Sequence, residues 1–128
     1  MPWTIEMMDM PKAVSVKATG PMKLVLIKQI AAEALAQAAS RNVHQFLVDD
    51  REMVPELSTL EIYELPAMLE RMGLGKRDRA AVVHSKTSPQ AMDFRFFEDT
   101  ARNRGFRIRL FTGMAEALKW LRKRDDEE

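Results

Sequence analysis

The chain has 128 residues, 20 of them basic and 19 acidic, and no cysteine. That length suits one domain burying roughly two-thirds of its unfolded surface. The even charge removes any general pull toward nucleic acid or an anionic membrane, and the lack of thiols excludes disulfides, thiolate metal sites and a cysteine nucleophile.

Trp3, Ile5 and Met7 alternate with Thr4, Glu6 and Met8, and Val14, Val16 and Ala18 alternate with Ser15, Lys17 and Thr19. Period two marks half-buried strands. The link Asp9-Met10-Pro11-Lys12 suits a hairpin, with Pro11 in the turn. Gly20-Pro21 is expected to stop the second strand and open a helix over residues 22 to 40, where Leu24, Ile27, Ala31, Leu35 and Ala38 keep helical spacing. Met22 to Ile27 alone would also read as a strand; the alanine-rich continuation argues for helix.

Phe46-Leu47-Val48 form a third strand running into Asp49-Asp50, and an irregular loop with Pro55 is expected to follow. Ser58 with Glu61 three residues on is a capping box for a helix through Leu60, Tyr63, Met68, Leu69 and Met72. Pro66 inside it predicts a kink or two short helices, and Gly73 and Gly75 end it. A fourth strand over Ala80 to His84 precedes a helix opened by Ser88-Pro89 and closed at Gly105. Phe106, Ile108 and Leu110 make a fifth strand, and Thr112 is expected to cap a last helix carrying Ala117, Leu118 and Leu121. Residues 1–123 therefore read as one domain, with 124–128 a solvated charged tail.

The order β-β-α-β-α-β-α-β-α predicts a single α/β domain with a mixed, mostly parallel five-stranded sheet. Strands buried on both faces should be continuous apolar runs. Phe106-Arg107-Ile108-Arg109-Leu110 alternates instead, as do the first two strands. Helices mainly on one face would explain this, leaving Thr4, Glu6, Met8, Ser15, Lys17, Arg107 and Arg109 on a partly open face; edge positions would explain it too.

Phe96-Phe97-Glu98-Asp99-Thr100-Ala101-Arg102-Asn103-Arg104-Gly105-Phe106, then Leu110-Phe111-Thr112, then Glu116-Ala117-Leu118-Lys119-Trp120-Leu121 resemble the end of a SpoIIAA-like protein, and Ser58-Thr59-Leu60-Glu61-Ile62-Tyr63-Glu64-Leu65-Pro66 resembles the same family. That family belongs to the STAS superfamily of anti-sigma-factor-antagonist-like proteins, some grouped with Sec-fourteen (CRAL-TRIO) lipid-binding proteins. The resemblance implies a mixed sheet with helices mostly on one side and a protein that works through contacts. It sets Ser58 where the antagonists carry a serine whose phosphorylation breaks binding to a kinase. The aspartate before that serine is Leu57 here, and the Ser-Gly after it is Thr59-Leu60.

The candidate sites each have a plain structural reading. Capping alone accounts for Ser58. Asp49 and Asp50, placed at the carboxyl end of a central strand, lie where ligands bind in parallel sheets, beside loops bringing His84, Ser85, Thr87 and Thr112. An esterase would need Ser85, His84 and Asp49 as a triad, but adjacent strand residues point to opposite faces and no nucleophile elbow is present. Lys76, Arg77 and Arg79 read as solvated surface. Tyr63, Met68, Phe94 and Phe97 are candidates for an apolar ligand pocket, with core packing the plainer role. His44 and His84 fit no zinc spacing.

The expectation is thus a non-catalytic interaction or regulatory module, a homodimer or the partner of another protein. A carrier of a small apolar ligand or lipid is the alternative, and an esterase-like hydrolase a remote one. No cofactor, metal, nucleic acid or transmembrane segment is expected. The N-terminus lacks the pattern of a signal peptide, which points to the cytoplasm.

Overall fold

The computed structural model describes residues 2–123, so the proposed tail at 124–128 lies outside the described residues. The elements follow in the expected order: β1 Trp3–Asp9, β2 Lys12–Met22, α1 Leu24–Arg41, β3 Gln45–Pro55, α2 Thr59–Arg71, β4 Arg79–Val83, α3 Ala91–Asn103, β5 Arg107–Phe111 and α4 Met114–Leu121. The five strands lie in chain order, β1 antiparallel to β2 and every later pair parallel.

Stepping in one direction through right-handed crossovers puts each connecting helix on the same face. The core agrees. Val14, Val16, Phe46, Ala80, Val82 and Ile108 face α1, α2 and α3. Leu47, Ala81 and Val83 point the other way, against Ala117, Trp120 and Leu121 of α4. Alternation along β5 is therefore a face signal: Ile108 is buried, while Arg109 lies exposed over the Phe111 and Trp120 rings. The α4 face is also open over β1 and β2, where Thr4, Glu6 and Lys17 are exposed and Met8 and Ser15 half-buried.

Several boundaries differ from expectation. Gly20-Pro21 does not end β2, which runs on to Met22 with Gly20 at φ 81, a conformation glycine adopts without strain. The expected loop before Pro55 is strand, because Thr19 to Met22 pair with Glu52 to Pro55. Pro66 does not break α2, which is one continuous helix; its ring is fully buried, and that burial offsets the missing N–H bond. Ser88 does not cap α3: its hydroxyl accepts from the Gln90 N–H at 3.1 Å and the helix starts at Ala91. Gly113, not Thr112, precedes α4.

The capping box forms as read. Ser58 Oγ accepts from the Glu61 N–H at 3.1 Å, and Glu61 Oε1 accepts from the Ser58 N–H at 2.9 Å. Ser58→Ala is expected to lower stability by about 1 kcal/mol, visible as a lower urea midpoint at unchanged m-value; no shift would mean that water serves the freed N–H equally well.

Candidate functional site

Asp49 and Asp50 are adjacent in β3, so their side chains leave opposite faces of the sheet. They do not form one acidic pair at a strand end. They lie mid-strand, level with the ends of β4 and β5 through the register Asp49↔Val83↔Phe111, and β3 continues beyond them paired with β2 alone. The pairing slips at this point: Lys17 opposes Asp49 and Thr19 opposes Glu52, so Ala18 faces Asp50 and Arg51 together. Such a bulge re-aims side chains locally.

Asp49 is held on the α4 face by a two-pronged contact with Arg51, whose Nε and Nη2 each donate at 2.9 Å. That hydrogen bonding, with the charge of Arg51 and of Lys17, holds its carboxyl below the usual range. Asp50 turns into the domain and is 8% exposed. No described residue hydrogen-bonds to its carboxyl. Burial, reinforced by the charge of Asp49, pushes it up to about 7.

Asp50 lines a cavity of about 190 Å³ between the sheet and α1, α2 and α3. α2 packs on α3, whereas α1 packs on β1 and β2, and the cavity lies where these groups diverge. Ile27, Ile30 and Leu35 line it from α1, and Ile62, Leu65 and Leu69 from α2. Two of the four residues proposed from sequence for an apolar pocket, Phe94 and Phe97, line it from α3; Tyr63 and Met68 do not. The phase of α2 explains the difference. Ile62, Leu65 and Leu69 share one face, and Tyr63 is turned about 100° from Ile62, exposed beside Thr100, Asn103 and Arg104. Met68 is buried away from the cavity lining.

The hydrolase set is not assembled. The His84 ring contacts the Ser85 backbone oxygen at 3.0 Å and stacks on Phe94, Ser85 Oγ meets Thr87 Oγ1 at 3.3 Å, and Asp49 is occupied by Arg51. Arg79, read from sequence as surface, is buried: it donates to the backbone oxygens of Trp120, Leu121 and Lys123. Among the described residues no His/Cys/Asp/Glu group has metal-binding geometry, and no helix is long and apolar enough to cross a membrane.

A second feature lies at the carboxyl edge of the sheet, where parallel β2, β3 and β4 hand over to α1, α2 and α3. The second residue of each helix, Val25, Leu60 and Met92, is apolar and 75%, 64% and 84% exposed. Val54, next to last in β3, is also exposed at this edge, and the exposed Ser58 hydroxyl stands two residues from Leu60. Sequence reading missed this because Leu60 fitted a helical apolar series and Val25 fell within the apolar stretch Met22 to Ile27. Their common position, one residue into each helix, was the available signal.

No family model and no curated protein matches the chain. Solved structures do. An anti-sigma factor antagonist from Mycobacterium paratuberculosis superposes with TM-score 0.61 at 21% identity, covering 94% of this chain and 95% of that one. A Shewanella loihica PV-4 protein with a SpoIIAA-like fold gives 0.59 at 20% identity, covering 93% and 91%. The phosphorylated form of the Bacillus cell fate determinant SpoIIAA gives 0.55 at 17% identity, covering 94% and 99%. The chain has the SpoIIAA-like fold, in agreement with the resemblance read from its residues.

Proposed function

We propose that this chain is a non-catalytic regulatory module of the cytoplasm that binds a protein partner through the carboxyl edge of its sheet. The observation that carries the reading is the row of exposed apolar residues at the starts of α1, α2 and α3. Single exposed apolar side chains are ordinary, but four on one edge form the kind of patch that docking covers. Two structural neighbours, the mycobacterial antagonist and Bacillus SpoIIAA, bear on proteins acting against other proteins, and this company supports a protein occupant.

Ser58 stands inside this edge as its control point. A phosphate on its hydroxyl would meet the positive end of α2, which favours it. It would also meet the Glu61 carboxylate that closes the capping box, which opposes it, and it would set a dianion beside Leu60. The net effect is to turn an apolar docking edge into a charged one.

The test pairs Leu60→Glu and Met92→Glu with the unaltered chain. Both positions are exposed, so both variants keep the stability of the unaltered chain within the range usual for surface changes, about 0.5 kcal/mol. The partner cross-linked and purified from the native host should bind each variant about tenfold or more weakly. Equal affinity of all three proteins would remove the reading. Light scattering separates the remaining case: if the edge pairs two copies of this chain, the unaltered protein doubles in mass with concentration and the variants do not.

A further inference from the structure

We propose that the cavity beneath α1, α2 and α3 is a binding site for a small apolar amine, its hydrocarbon body against the aliphatic lining and its ammonium on the Asp50 carboxyl. The inference stands apart from the partner reading, since it uses the interior of the sandwich and not its edge.

Size sets the first limit. A cavity of about 190 Å³ is somewhat larger than one of about 150 Å³ that holds benzene. It suits one aromatic ring with a short tail, or an alkyl chain of similar bulk, and excludes a two-chain lipid. The lining sets the second. Apart from two carboxyls, Asp50 from β3 and Asp93 from α3, every lining residue is apolar, and none is Lys, Arg or His. A fatty acid would bring a third carboxylate to two others with no cation to receive it. A plain hydrocarbon would fill the volume but leave the Asp50 carboxyl without a partner, an arrangement that costs free energy in a dry site. A protonated amine supplies three donors and the missing charge together.

The alternation of β3 gives the acid its place. In a regular strand, positions of the inward series Phe46, Val48 and Asp50 bury apolar groups against the helices, and the first two do. Asp50 continues that series with a carboxyl, where alternation alone calls for another aliphatic residue. Burial holds it near neutrality, so its ionised fraction changes across physiological pH. The charge that bears on it is that of Asp49 on its own strand, facing away with Arg51; Asp93 from α3 shares the lining, to which α1 and α2 contribute only apolar side chains.

Calorimetric titration of the full chain with 2-phenylethylamine, 3-phenylpropionate and ethylbenzene tests this. The amine should bind at one site, about tenfold or more tighter than the phenylpropionate, and its affinity should rise from pH 6 to pH 8 as Asp50 ionises. Asp50→Asn keeps the shape and removes the charge. It should cost the amine about tenfold or more while leaving ethylbenzene within about twofold. Ala31→Phe, which fills the lining from α1, should abolish binding of both and guards against a surface site. Phenylpropionate binding as tightly as the amine, amine affinity unchanged by Asp50→Asn, or binding of none of the three probes would each overturn the proposal.

Discussion

Arg79→Met should lower the stability of this domain by about 3 kcal/mol and its thermal midpoint by about 10 °C. Arg79 opens β4 and is 2% exposed. Its guanidinium donates to the backbone oxygens of Trp120 at 3.0 Å, Leu121 at 3.3 Å and Lys123 at 2.6 Å, and lies 5.6 Å from the Trp120 ring centroid. The last carbonyls of a helix have no partners within it, and α4 has only 8 residues, too few to hold itself together in water. Arg79 therefore supplies both the hydrogen bonds and the positive charge that the end of α4 requires. Methionine matches its bulk and donates nothing; the Trp120 oxygen keeps its bond from the Lys123 N–H, while the Leu121 and Lys123 oxygens lose the guanidinium donor. Because α4 is the helix covering Leu47, Ala81 and Val83, the loss should appear first as faster amide exchange in α4, before global unfolding. Arg79→Lys should recover only part of it, since one ammonium does not reproduce a planar fork reaching three acceptors. A change below about 1 kcal/mol for Arg79→Met, at the level of an ordinary surface substitution, would show that α4 is held by packing alone.

What could be read in the residues, and what could not, divides along the range of the interactions. Val14, Val16 and Ala18, and Phe106, Ile108 and Leu110, write their strands in a period set by the backbone itself. The Ser58–Glu61 box is legible because both bonds close within four residues. The one-sided helices followed from the alternation of β5. By contrast, Asp49-Asp50-Arg51-Glu52 has the local preferences of a turn, and only pairing with Lys17 to Thr19, some thirty residues away, makes it strand. Arg79 misled for a similar reason: its acceptors lie at the far end of the chain, more than forty residues on. The sharpest case is Asp50. Phe46, Val48 and Asp50 already alternate in the sequence, and carrying the period one step further would have sent Asp50 inward and separated it from Asp49. The cavity itself had no such signal, since a gap depends on how three helices pack and not on any one residue type.

Asp50→Asn should make the protein more stable at pH 8, by about 2–4 kcal/mol, and by less than half as much at pH 5. Asp50 is pushed from 3.8 up to about 7 in the fold. Below the lower value both the native and the unfolded chain are protonated, and the group contributes nothing to pH dependence. Between the two values the unfolded chain has lost its proton while the native chain keeps it, so the native state binds more protons and stability falls as pH rises. Above about 7 both are ionised and the full penalty for a buried charge is present. At about 1.4 kcal/mol per pH unit that penalty is of order 4 kcal/mol, with water access and relaxation reducing it. Asparagine has the same shape and no charge to bury, so it escapes the penalty without opening a hole. Asp49, whose carboxyl is shifted the opposite way by Arg51, titrates below this window and is common to both proteins. Urea denaturation of each at pH 5 and pH 8 isolates the effect as a difference of differences, in which every other titrating group cancels. The unaltered chain should weaken between the two pH values relative to the variant. Parallel curves would mean that Asp50 is ionised at no cost, which requires a partner for its carboxyl that the fold, as described, does not contain.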